Sequence, residues 1–163
     1  MTPLAAAIAE ADGQPAAALD ALGELAQQVT GARLVTLMTS DPHTREAERI
    51  WTNHPAAYPV SGRKPFLPNR WTATVLDRRE TFVANDYAGI SEVFGDHELI
   101  RSLGCESVLN LPAIAGGRVL GTINCLDAAG HFTPDRIAQA EALRLPATAV
   151  FLFHLLQTTG MRP

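Results

Sequence analysis

The sequence predicts an α+β fold, one domain in which helices pack on an antiparallel β-sheet, and three observations carry that prediction. Between Cys105 and Asp127 two apolar runs flank Gly116-Gly117, the pattern of a β-hairpin. Residues 15–31 instead carry Leu19, Leu22, Leu25 and Ala26 at three- and four-residue spacing, and Thr133-Pro134-Asp135 opens a second long helix near the other end. The length of 163 residues, with 47% hydrophobic and 18% charged residues, suits one packed domain and is too apolar for disorder. A formal charge of −4 excludes the broad basic surface that direct nucleic-acid binding needs. The most apolar stretch, residues 145–156, contains His154 and falls short of the about 20 residues that span a bilayer. The first residues lack the positive charge of a secretion signal, so the expected location is cytoplasmic, with no membrane partner. Cys105 and Cys125 are too few for a disulfide framework and form no CxxC pair, and the five histidines show no ligand spacing, so neither metal nor cofactor is expected.

Taken in order, LAAAIAEAD forms a short extra helix broken at Asp12-Gly13, and the helix over 15–31 stops at Gly31. The β-branched run 32–40 ends at Ser40-Asp41-Pro42 and pairs with 48–52 as a hairpin. Residues 53–69 hold Pro55, Pro59, Pro65 and Pro68, which exclude a helix or a central strand, so this connection reads as a loop placed to act as a lid. Asn69 caps a helix through Trp71, Val75 and Leu76, and residues 81–85 form a third strand. Two short helices follow near 91–94 and 97–103, the second capped by Asp96 and closed by Gly104. After the hairpin, Thr133 caps the C-terminal helix, which Pro146 kinks or restarts at Leu145.

The register of the hairpin follows from its faces. A two-residue loop pairs positions summing to 233 and mixes polar with apolar side chains on both faces. A three-residue loop, Ala115-Gly116-Gly117, pairs positions summing to 232 and separates them. Ser107, Leu109, Leu111, Ala113, Val119, Gly121, Ile123 and Cys125 then face the core, and Val108, Asn110, Pro112, Thr122 and Asn124 line the other side. Being apolar on one face and half apolar on the other, both strands belong inside the sheet. Cys105 falls on the core face with Cys125, too far for a disulfide.

This order of elements, and above all SVLNLPAIAGGRVLGTINCLD followed by HFTPD, resembles a GAF domain over about residues 15–157, with residues 1–14 as an extension and 158–163 as a tail. The resemblance implies five or six antiparallel strands, terminal helices on one face and a ligand cavity on the other under the loop and the short helices. It also implies a sensor that binds a small molecule and signals to an output, here a separate partner. Asp127-Ala128, and Phe132 with Arg136-Ile137, stand where cyclic-nucleotide binders carry Asn-Lys and a Phe with Asp-Glu, and the Cys-His of covalent bilin attachment is missing. The rival within the family is a redox enzyme similar to the free methionine-R-sulfoxide reductases. Those use cysteines near the short helices and acidic strand residues, where this chain has Val108 and Asn124.

Between His54 and Arg70 the chain carries Arg63, Lys64 and Arg70 and no acid, +3 in a chain of −4. Arg forks and a Lys ammonium beside a cavity suit an anionic or carboxylate-bearing ligand; the alternative is a solvated loop. Trp51, Tyr58 and Trp71 flank this segment as an aromatic wall or as plain packing. Asn110, Thr122 and Asn124 on the polar face offer hydrogen bonds to a ligand or to buried partners. Asn85 and Asp86 end the third strand beside them, where Asx residues also serve turns. Residues 145–156 are apolar almost all round, which predicts a homodimer through the terminal helices.

Overall fold

The computed structural model describes residues 1–159, so the tail expected over 158–163 falls outside it from residue 160 on. Helices α1 (Pro3–Ala9) and α2 (Ala16–Thr30) lead, and α2 closes on Gly31. Strands β1 (Leu34–Asp41) and β2 (Glu46–Thr52) pair antiparallel. The long connection, expected to be loop throughout, supplies a further strand, β3 (Arg63–Pro65), along the outer side of β2. The position is an edge, where a proline without an N–H costs the ladder nothing. Helix α3 (Arg70–Thr72) starts at Asn69 in a reciprocal cap with Thr72 and continues into a π-helical turn, Ala73–Asp77. Next come β4 (Phe82–Ala84), α4 (Tyr87–Ser91) and α5 (His97–Ser102). α4 begins earlier than the expected 91–94 because Asp86 caps it, accepting from the Gly89 amide at 2.8 Å. The hairpin β5 (Ser107–Ala115) and β6 (Arg118–Asp127) leads to α6 (Pro134–Glu141) and α7 (Arg144–Thr158). The break between these helices falls at Ala142-Leu143, so Pro146 sits in the first turn of α7, where its missing donor goes unnoticed.

All six strands form one antiparallel sheet in the order β3-β2-β1-β6-β5-β4, so both hairpin strands are interior. The expected separation of the faces holds, but by another register. The turn is the two-residue Gly116-Gly117, both with positive φ (55° and 72°), and Ala115 faces Arg118. A bulge then leaves Leu120 unpaired between Val119 and Gly121, after which Ala113 faces Gly121 and Asn110 faces Asn124. One extra residue restores the parity that the two-residue turn alone would have lost.

The sheet divides the interior in two. On one side α2, α6 and α7 bury Leu22, Phe132, Val150 and Phe151 against Leu37, Leu109, Leu111, Ile123 and Cys125. On the other, Tyr58, Val75, Ile90 and Ile100 gather over Leu34, Val108 and Leu126. Cys105 lies in this second cluster and Cys125 in the first, which corrects the expectation that they share a face. Cys105 precedes the first residue of β5 and so escapes that strand's alternation.

Candidate functional site

A cavity of about 300 Å³ lies between the sheet, β3, α3 and the segment leading into α5. Its floor is a polar row across three adjacent strands. Asn110 on β5 pairs with Asn124 on β6, which pairs with Thr36 on β1. The Trp71 indole N–H donates to Asn110 Oδ1 at 3.0 Å, Asn110 Nδ2 to Asn124 Oδ1 at 2.6 Å, and Asn124 Nδ2 to Thr36 Oγ1 at 3.1 Å. The three floor residues are buried, so the chain of bonds offsets the cost of enclosing two amides. Thr36 spends an acceptor in this row, leaving its hydroxyl proton without a partner among the described residues. Buried Thr122 lies one step along, opposite Met38 and Pro112.

Above the floor the walls are mostly apolar: Leu34 and Leu126 at one side, Ile100, Phe94 and Val93 over them, and Phe66 stacked on Trp71 at 5.9 Å and 25°. The exception is a cluster of four side chains brought from separate segments. Arg49 on β2 is 5% exposed, donates from Nη1 to the Pro59 carbonyl at 3.0 Å and stacks its guanidinium 4.6 Å over the Tyr58 ring. Its Nε is buried and has no hydrogen-bond partner among the described residues. Asp96, just before α5, accepts from the Tyr58 hydroxyl at 2.9 Å and from the Lys64 ammonium at 2.6 Å. Burial pushes the Asp96 carboxyl up, but Lys64 and Tyr58 together hold it below its ordinary value. Burial, aided by the neighbouring carboxylate, raises the Tyr58 phenol, which stays protonated and donates. Burial also lowers Arg49, yet a guanidinium stays charged. The cluster therefore holds two positive charges and one negative.

Six of the ten residues singled out from sequence line this cavity: Tyr58, Lys64, Trp71, Asn110, Thr122 and Asn124. The other four do not. Trp51 lies on the helix side of the sheet, its ring over Gly23 and its indole N–H bonded to Asp20 at 2.7 Å. A bulge causes this: Leu37 pairs with Trp51 and Met38 with Arg49, so unpaired Ile50 turns the two to opposite faces. Arg63 points along the outer edge to Glu48 at 3.0 Å and Glu46 at 3.8 Å. Asn85 binds the Phe132 backbone in both directions, at 2.8 and 3.0 Å, fastening β4 to the turn before α6. Asp86 is spent on the α4 cap.

Sequence reasoning missed Arg49, Asp96 and Thr36. Arg49 carries little signal, standing between Glu48 and Ile50, and simple alternation would put it on the same face as Trp51. Asp96 was expected to cap α5, yet its side chain makes no cap hydrogen bond and turns to Lys64 and Tyr58 instead.

Both cysteines are buried, and burial raises both thiols, Cys125 to about 12, which disfavours the thiolate form. Among the described residues no group of acids, histidines and cysteines is placed to hold a metal, and no helix is long and apolar enough to cross a membrane.

The family model described as GAF domain matches residues 14–146. No curated protein matches the chain. Among solved structures, the GAF domain of a phosphoenolpyruvate-protein phosphotransferase from Coxiella burnetii is similar with a TM-score of 0.72 at 18% identity, covering 98% of this chain and 95% of that one. A GAF domain/HD domain protein from Geobacter sulfurreducens gives 0.67 at 14% identity, with 85% and 91% covered. A domain of a sensor histidine kinase protein from Sinorhizobium meliloti gives 0.67 at 13%, with 93% and 100% covered.

Proposed function

The chain belongs to the GAF domain family of small-molecule-binding sensory and regulatory domains, and from that premise we propose that its cavity binds a small carboxylate-bearing molecule and reports its occupancy to a separate output partner. The observation that carries the reading is Arg49: a buried cation lining a mostly apolar cavity, with one donor unpartnered and no acid within salt-bridge distance among the described residues. A buried charge without a counter-ion in contact costs stability that a bound carboxylate would recover. The sensing unit is residues 15–157, with 1–14 as an extension. Arg49 takes the place that the sequence assigned to Arg63.

The test is native mass spectrometry of freshly purified protein, followed by thermal-shift screening of matched acids and amides. Acids should raise the melting temperature of the wild type and lose that effect in Arg49→Met. Equal stabilisation by the neutral amides would overturn the reading.

The same proposal includes a homodimer through the terminal helices. Phe151 turns inward, yet Leu145, Leu152 and Leu156 stay exposed on α7 at 78%, 41% and 40%, spaced to share one face. Light scattering should show a dimer at micromolar concentration and a monomer for Leu152→Glu/Leu156→Glu; a monomeric wild type would count against it.

A further inference from the structure

We infer that the cavity selects a ligand with a single negative charge on an apolar body, and that Asp96 sets that limit. The inference rests on the carboxylate reading above and adds to it the charge class and the residue that enforces it. Arg49, Lys64 and Asp96 are the charged side chains lining the cavity, and they sum to +1. Lys64 is committed, its ammonium 2.6 Å from Asp96 Oδ2. Tyr58 presses the same oxygen at 2.9 Å while its ring covers one side of the Arg49 guanidinium. Arg49 is left as the cation that a ligand can neutralise, because Asp96 is taken up by Lys64 and Tyr58 and no carboxylate among the described residues lies within salt-bridge distance of the guanidinium.

One negative charge brings the cluster to neutrality. A second would leave a net charge in a site walled by Phe66, Phe94, Ile100 and Leu126, where an uncompensated ion is costly. Nearby cations outside the cavity give no relief. Arg63 is held by Glu48 and Glu46, and Arg70 pairs with Glu92 at 3.2 Å with its guanidinium over the Phe82 ring. Asp96 thus has two effects: it occupies Lys64, and it removes the second positive charge that would admit a dicarboxylate or a phosphate monoester. The rest of the ligand is set by the walls, an apolar or aromatic body beside the stacked Phe66 and Trp71.

The experiment compares matched triplets built on one body, phenylacetate, phenylmalonate and phenylacetamide together with their straight-chain aliphatic counterparts, by titration calorimetry at pH 7.5. The wild type should bind the monoacid at least about tenfold more tightly than the diacid or the amide. In Asp96→Asn the cluster carries +2, and the diacid should gain about tenfold relative to the monoacid. Lys64→Gln/Asp96→Asn returns the sum to +1 and should restore the preference for the monoacid, which a merely structural role for Asp96 would not do. Lys64→Gln alone brings the sum to zero and should lose the preference of acid over amide, a test that survives if Asp96→Asn fails to fold. An unchanged diacid-to-monoacid ratio in Asp96→Asn, with Arg49-dependent monoacid binding intact, overturns this inference and leaves the carboxylate reading standing. Acids binding no better than amides in the wild type, or no binding by either triplet, overturns both.

Discussion

The two faces of the sheet are built from alternate residues of the same strands, yet one is filled and the other is hollow. On the helix side the packing leaves no slack. At Gly121 an added Cβ would lie 2.3 Å from the Met38 carbonyl and 2.3 Å from the Phe151 ring, and at Gly23 it would strike the Trp51 ring. On the other side Val108, Asn110, Thr122 and Asn124 are as deeply buried, but they look onto a cavity of about 300 Å³ with a buried arginine in its wall. The first face gains from close contact and apolar burial, about 1.5–3 kcal/mol for each large side chain. The second gives up contacts and bears the cost of enclosing amides and charges. A fold can carry that cost because the first face supplies a surplus, and the arrangement makes sense for a cavity kept open for a ligand.

The comparison is broken most directly at Phe151. Phe151→Ala should cost about 3–5 kcal/mol in urea unfolding, whereas Met38→Ala, which borders the cavity, should cost less than half as much. An equal loss at both sites would mean that the cavity wall supports the fold as fully as the helix face does. The polar floor comes next. Asn110→Ala leaves the Trp71 N–H and the Asn124 carbonyl without a shared partner and should cost about 1–3 kcal/mol, with a shift in Trp71 fluorescence; a neutral substitution would show that the row has no role in stability.

Filling sharpens the contrast. Val108→Phe puts extra volume where space exists and should change stability by less than about 1.5 kcal/mol while abolishing the ligand response, whereas Ile123→Phe on the helix face should cost about 1–3 kcal/mol. Similar losses for the two would show that the cavity is not open in solution. The smallest effect is on pH. Because the folded-state pKa of Asp96 is depressed, its contribution is present above the ordinary carboxylate range and is lost as pH falls through the folded value. The difference in melting temperature between wild type and Lys64→Gln should therefore be constant from pH 7 to about pH 5 and shrink below about pH 4. Its size will be modest, since Lys64 is partly exposed. A difference that grows on acidification would place the stabilising charge elsewhere.

Much of the molecule is legible in its residues. The spacing of Leu19, Leu22 and Ala26 with the stop at Gly31, the Asn69 and Thr133 caps, and the alternation of Leu109, Leu111 and Ile123 against Asn110 and Asn124 all correspond to observed elements. These features are local: a cap, a turn or a period is decided within a few residues by hydrogen bonding and sterics. The candidate site was half legible for the same reason, since Asn110, Thr122 and Asn124 follow from the alternation of one hairpin.

The remainder depends on contacts distant along the chain. Two bulges, at Ile50 and Leu120, decide which face Trp51 and Arg49 take and which asparagine meets which. An inserted residue reverses alternation, and only the fit of each strand against its neighbours and the layer above sets where it falls. Lys64, Tyr58 and Asp96 meet across the span between residues 58 and 96 because β3 is added to the sheet edge and α5 folds back over it. Period, caps and the resemblance of the hairpin to a known family were enough to give the fold class and the two faces of β5 and β6, but not the turn or the register that produce them. The partner of each charge, and with it the cation left without a carboxylate partner among the described residues, was decided by the tertiary structure, because electrostatic pairing depends on distance in space and not on separation along the chain.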